Sequence, residues 1–156
     1  MKGAMRSLSK FIWIICGALF WTILAGGCQL SASPVKEGNP GRGGETLDIK
    51  PLLSQGRTTI FDFYSPYCQP CMKMAPILEK LAARMPEIAI VKLNINRPQV
   101  RGIDWRSPLS LQYRLKSVPH FMIFNPHGEL VAEGPEAQGM VKDWLQKAGL
   151  IPQSGR

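Results

Sequence analysis

Apolar residues recur along this chain with two different periods, and the switch between them predicts the elements. Thr58–Tyr64 (TTIFDFY) is a β-branched and aromatic run of the kind found in strands buried on both faces, and Ile88–Ile95 (IAIVKLNI) repeats it. Between them, Met72–Arg84 (MKMAPILEKLAAR) sets its apolar residues at helical spacing. Leu47–Ser54 and Leu109–Leu115 read as short helices and Phe121–Phe124 as a strand. Glu129–Glu133 is its hairpin partner across Asn125-Pro126-His127-Gly128, where Gly128 supplies positive φ. Gln138–Gly149 follows as an amphipathic helix with Met140, Val141, Trp144 and Leu145 on one face. Strands alternating with helices, then a hairpin and a last helix, predict an α/β domain over 47–150, with 151–156 as a tail.

The pattern before residue 47 is of another kind. Lys2, Arg6 and Lys10 precede an unbroken apolar stretch, Phe11–Ala25, which ends in Gly26-Gly27-Cys28. Basic, apolar and small residues in that order are the layout of an export signal over 1–28. Leu24-Ala25-Gly26-Gly27-Cys28 resembles the lipobox of bacterial lipoproteins, although the family's Leu three places before the Cys is Ala25 here. That resemblance implies lipidation at Cys28, and Gln29 after it implies sorting to the outer membrane. The alternative is an uncleaved anchor helix in which Cys28 is an ordinary residue. Either way the charge bias places the rest of the chain outside the cytoplasm, tethered to a membrane. Cys16, inside the apolar run, reads as a small hydrophobe. Residues 29–46 (QLSASPVKEGNPGRGGET), rich in Gly, Pro and Ser, read as a flexible linker.

Composition narrows the classes further. With 156 residues, 45% apolar and 19% charged, the chain is one globular domain plus a leader, and four cysteines are too few for a disulfide-dense miniprotein. The formal charge of +8 owes three units to Lys2, Arg6 and Lys10. The remainder is spread without a basic run or an aromatic-basic stripe, so no nucleic-acid partner is expected.

The chemistry concentrates in Cys68-Gln69-Pro70-Cys71, at the junction of the first buried strand with the long helix. A CxxC so placed is a redox signature, because two intervening residues bring both sulfurs to the helix start. There, unsatisfied N–H groups and the positive end of the helix dipole favour thiolate, which makes Cys68 the expected nucleophile. Cys71, one turn in, is expected to be more buried and to resolve the mixed disulfide. Pro70 lies where a missing N–H is harmless. Asp62 and Lys92 interrupt strands that otherwise look buried, which leaves open a structural ion pair or a proton-transfer role.

Several separated features coincide with one family. Asp62 stands six residues before Cys68, Pro76 five after Cys71, Lys92 lies in the neighbouring strand, Val118-Pro119 precedes the apolar run HFMIF, and Gly134 follows the last strand. In all of these, residues 47–149 resemble the thioredoxin family. The resemblance implies a central mixed β-sheet flanked by helices and thiol:disulfide oxidoreductase activity with no cofactor beyond the Cys68–Cys71 pair. It also implies that Asp62, near Lys92, takes the proton of Cys71. Val118 and a cis Pro119 would dock an extended substrate, beside Tyr67, Gln69 and Pro70. Partners would be protein thiols or disulfides and a membrane electron donor or acceptor. A reductase of exported proteins is expected, for example in cytochrome c maturation, over a disulfide-forming oxidant.

The departures from the family pattern bear on direction. Tyr67, after Pro66, replaces a Trp, and Gln69-Pro70 replaces Gly-Pro; the intervening dipeptide tunes reduction potential. Asn96 replaces an Asp, and Arg97–Pro108 (RPQVRGIDWRSP) lengthens a connection, as a partner-contacting loop or as a solvated excursion. A rival reading is a metal-binding module. Cys68, Cys71, His120 and His127 lack zinc-site spacing, but His120 with Met72 and Met74 would suit a thioredoxin-fold copper chaperone. No metal is expected in the favoured reading.

Overall fold

The computed structural model describes residues 35–153. The leader, the lipobox and Cys28 expected from the sequence lie outside that range, as do residues 29–34 of the linker and 154–156 of the tail. Five strands form one sheet: β1 (Val35–Glu37), β2 (Thr58–Tyr64), β3 (Ile88–Asn94), β4 (His120–Phe124) and β5 (Leu130–Glu133). Their spatial order is β1-β3-β2-β4-β5. The β1–β3 and β3–β2 pairs are parallel, whereas β2–β4 and β4–β5 are antiparallel. The sheet is therefore mixed, with β2 central and buried along five of its seven residues.

Alternation along the strands divides the core into two layers. Ile60, Ile90, Phe121 and Ile123 pack with Leu78 and Leu81 of α1 (Gln69–Arg84) and with Val141 and Leu145 of α3 (Pro135–Lys147). Phe61, Phe63, Val91 and Leu93 point the other way, onto Leu109 of α2 (Pro108–Gln112) and Ile49 beside a 3-10 turn at Lys50–Leu52. Both layers are apolar, so β2 and β3 read as continuous apolar runs. Gly134, at φ 60°, turns β5 into α3 through a backbone conformation that a side chain would strain.

The linker expected over 29–46 is corrected for its second part. Val35–Glu37 adds a parallel strand to the edge of β3, in register with Ile90–Lys92. Beyond it, the Gly38 N–H donates to Lys92 O (2.8 Å), Asn39 Nδ2 donates to Asn94 O (2.9 Å) and the Asn94 N–H donates to Asn39 Oδ1 (3.0 Å). A Cβ on Gly43 would collide with Asn96 O. This segment is ordered by backbone hydrogen bonding and by glycines that permit close approach, not by the apolar burial that a composition reading weighs.

Candidate functional site

The turn that ends β2 builds the site. The Tyr67 N–H donates to Ser65 Oγ (3.1 Å) and the Cys68 N–H to Ser65 O (3.0 Å), which delivers Cys68 to the N-cap of α1. Its Sγ accepts from the Cys71 N–H at 3.1 Å, satisfying one of the donors that a helix start leaves open. Pro70 lies in the first turn of α1, where no intrahelical donor is needed. Cys68 and Cys71 are joined as a disulfide with Cα atoms 5.3 Å apart. The expected difference in burial is nearly absent in this oxidised form, with Cys68 3% and Cys71 2% exposed.

The Val118–Pro119 peptide bond is cis, and Val118 O lies 3.5 Å from Cys68 Sγ, so the two segments face each other across the sulfur. Gln138 of α3 donates to Pro119 O at 2.9 Å and ties the loop to the helix. Around the disulfide, Tyr67 and Met72 are about half exposed, and Gln69 and Pro70 are exposed as well. This apolar rim suits an extended peptide laid beside the dithiol.

Asp62 sits in mid-β2, 1% exposed, on the face that α1 covers. Burial, opposed by Lys92 and reinforced by Glu37, raises its carboxyl pKa from 3.8 to about 7, and its Oδ1 has no hydrogen-bond partner. Such a group takes up a proton near neutrality. Lys92 is its register partner on β3, but the Lys92 Nζ contact is to Glu37 Oε1, at 3.0 Å. Lys92 Nζ also lies 4.4 Å from the centre of the Tyr64 ring, and the Tyr64 hydroxyl donates to Glu37 Oε2 (3.3 Å). Burial first, and Glu37 second, raise the Tyr64 pKa to about 12, which keeps that hydroxyl a donor. Sequence reasoning missed Glu37 and Tyr64. Glu37 lies in the segment read as linker, and only a strand assignment for the three-residue VKE would have exposed it.

Residues 97–108 form an internally braced loop, with Asn96 and Asp104 buried beneath it and Arg101, Trp105 and Arg106 exposed. Arg97 grips Asp104 through two side-chain contacts, Nε–Oδ2 at 2.7 Å and Nη2–Oδ1 at 3.0 Å. Those hydrogen bonds hold the Asp104 carboxyl below its ordinary range. Asn96, buried at 4%, donates to the carbonyl oxygens of Gly102 and Val100. Trp105 is left 38% exposed.

The nominal metal set does not assemble. His120 Nε2 meets Glu133 Oε1 at 3.2 Å and its ring packs on Phe63, on the sheet face away from Asp62, while His127 sits in the β4–β5 turn. Met74 packs against the core. Among the described residues, no three His, Cys, Asp or Glu side chains gather as a metal site. Nor is any helix among them long and apolar enough to cross a membrane.

Comparison with known proteins agrees with this geometry. The Thioredoxin family model matches residues 49–147. A thioredoxin of Chlamydia pneumoniae is 34% identical over 71 residues, covering 46% of this chain and 62% of that protein, less than two thirds of its length. The thiol-disulfide oxidoreductase ResA of Halalkalibacterium halodurans is 27% identical over 122 residues, 66% of this chain and 68% of its own. The short form of spinach chloroplast thioredoxin f superposes with a TM-score of 0.50 at 23% identity, over 75% of this chain and 95% of that one, which speaks to the fold. A family model spanning most of the chain, a CxxC capping the helix after the central strand and a cis-proline facing it lead to one assignment: the chain belongs to the thioredoxin family.

Proposed function

We propose that the chain is a membrane-tethered, extracytoplasmic thiol:disulfide oxidoreductase that reduces disulfides of exported proteins. The observation that carries the reading is the Cys68–Cys71 pair at the start of α1, facing the cis Val118–Pro119 bond. In the reduced protein the Cys68 thiolate attacks one sulfur of a substrate disulfide, and the other sulfur leaves as a thiolate. Cys71 gives its proton to Asp62 and attacks Cys68 Sγ, which closes the disulfide and releases the second substrate thiol. The substrate gains two electrons, which a membrane donor must restore to the Cys68–Cys71 pair. Location outside the cytoplasm is supported by the sequence of residues 1–28 alone, and cytochrome c maturation is one example, by family analogy, of a process that such a reductase would serve.

Two experiments on the full chain test this. Cys71→Ser should accumulate mixed disulfides with exported proteins and Cys68→Ser should not; turnover by Cys68→Ser would refute the assignment. A glutathione redox titration fixes direction. A potential near about −270 mV supports a reductant, whereas one near about −120 mV marks an oxidant of exported proteins.

A further inference from the structure

Four residues on four neighbouring strands stand in one row on the face beneath α1. Phe121 of β4 pairs with Asp62 of β2, Asp62 pairs with Lys92 of β3, and Lys92 pairs with Glu37 of β1. Cross-strand partners in register project to the same face, so acid, base and acid are lined up from the core to the edge. Exposure rises along the line: Asp62 is 1% exposed, the Lys92 side chain 17% and the Glu37 side chain 47%. The single cation in the row makes its ion pair with the outer acid. Glu37 is fixed in that position from the other side by the Tyr64 hydroxyl, whose ring also carries the Lys92 ammonium. Asp62 is left with an unpartnered Oδ1.

We propose that Glu37 is a positioning residue of the redox site. By holding the Lys92 ammonium at the sheet edge it withholds that charge from Asp62, and so sets the pH at which Asp62 accepts the proton of Cys71. The proposal deepens the reading above and rests on Asp62 serving Cys71. Glu37 lies outside residues 49–147, where the family model matches.

The surroundings of Asp62 leave few competitors. Phe121 of β4 is uncharged, and the neighbouring His120 lies on the opposite face with Glu133. From α1 the titratable group buried toward the sheet is Cys71, while Lys73, Glu79, Lys80 and Arg84 of that helix are exposed. The charged residues of α3 are exposed too. Lys92 and Glu37 are the charges whose fields reach Asp62, the first lowering and the second raising its proton affinity. Removing Glu37 therefore acts twice in the same direction. Its own charge is lost, and the ammonium is released to turn toward Asp62.

The test follows the Asp62 carboxyl itself, by 13C NMR of the full oxidised chain labelled at its four aspartates, with Asp62→Asn to assign the signal. Glu37→Gln should move the Asp62 midpoint down by about 0.5–1 pH unit, and Glu37→Asp, which keeps the charge, should return most of that shift. Lys92→Gln should move it up, and in that background Glu37→Gln should have less than half its effect. A midpoint that Glu37→Gln leaves in place overturns the positioning role. So does an equal shift with and without Lys92, because Glu37 would then act without it. Where the carboxyl midpoint moves but the pH profile of Cys71 attack on a trapped mixed disulfide does not, the Asp62–Cys71 assignment falls instead.

Discussion

Asp62 occupies a position where strands of this kind carry apolar residues, and its carboxyl lacks the compensation that buried acids usually have. A neutral isostere should therefore be tolerated by the fold and punished in the chemistry. If Asp62 receives the Cys71 proton as proposed, Asp62→Asn should slow release of mixed disulfides by about 10²-fold or more near pH 7. Attack by Cys68 on a substrate disulfide should be little changed. Single-turnover kinetics of the two steps check this, and equal slowing of both would show that Asp62 acts on the helix start as a whole. At this scale the sequence was informative where chemistry demands a particular residue. Cys68, Cys71, Asp62 and Pro119 could all be picked out without coordinates. Lys92 was also picked out, but its partner was not, because an ion pair with Glu37 depends on a strand that residue types do not announce.

The elements were most legible where burial alone decides them. β2 begins and ends where its apolar run does, and β3 differs from its run by one residue. Helix starts are less legible. Apolar spacing opens α1 at Met72 and α3 at Gln138, whereas they begin at Gln69 and Pro135 with proline in the first turn of each. Proline there is compatible with helix, although it looks like a breaker when read along the chain. The loop after β3 illustrates a different limit. Asn96 stands where the family pattern has an acid, and its amide nitrogen feeds two carbonyl oxygens of the loop, which a carboxylate cannot do. Asn96→Ala should destabilise the protein by about 1–3 kcal/mol, and Asn96→Asp should do no better at neutral pH. Denaturant unfolding measures the loss, and faster tryptic cleavage at Arg101 and Arg106 would locate it in the loop. Unchanged cleavage would mean that the Arg97–Asp104 pair braces the segment by itself.

For the whole molecule, the buried acid ties stability to pH. The Asp62 carboxyl binds its proton more tightly in the folded state, near pH 7, than at its ordinary value of 3.8. The folded protein therefore holds more protons than the unfolded chain between those values, so stability is greatest at the acid end and falls as pH rises. The loss from this one group is complete above about pH 7 and amounts to at most about 4 kcal/mol. Denaturant midpoints of the oxidised protein should decline across that window, and Asp62→Asn should flatten the decline. A wild-type midpoint that rises from pH 4 to pH 7 as steeply as that of Asp62→Asn would rule out this contribution.

The edge strand β1 also changes what counts as a portable unit. A graft of residues 49–147 into another scaffold would transfer the dithiol, the cis-proline and the acid that serves them. It would leave behind Glu37, the outermost charge of the row, and the chain segment that covers the edge of β3. Such a chimera would inherit the reaction but not its acidity setting. The transferable unit in this chain thus starts at β1, before the first residue that the family model matches.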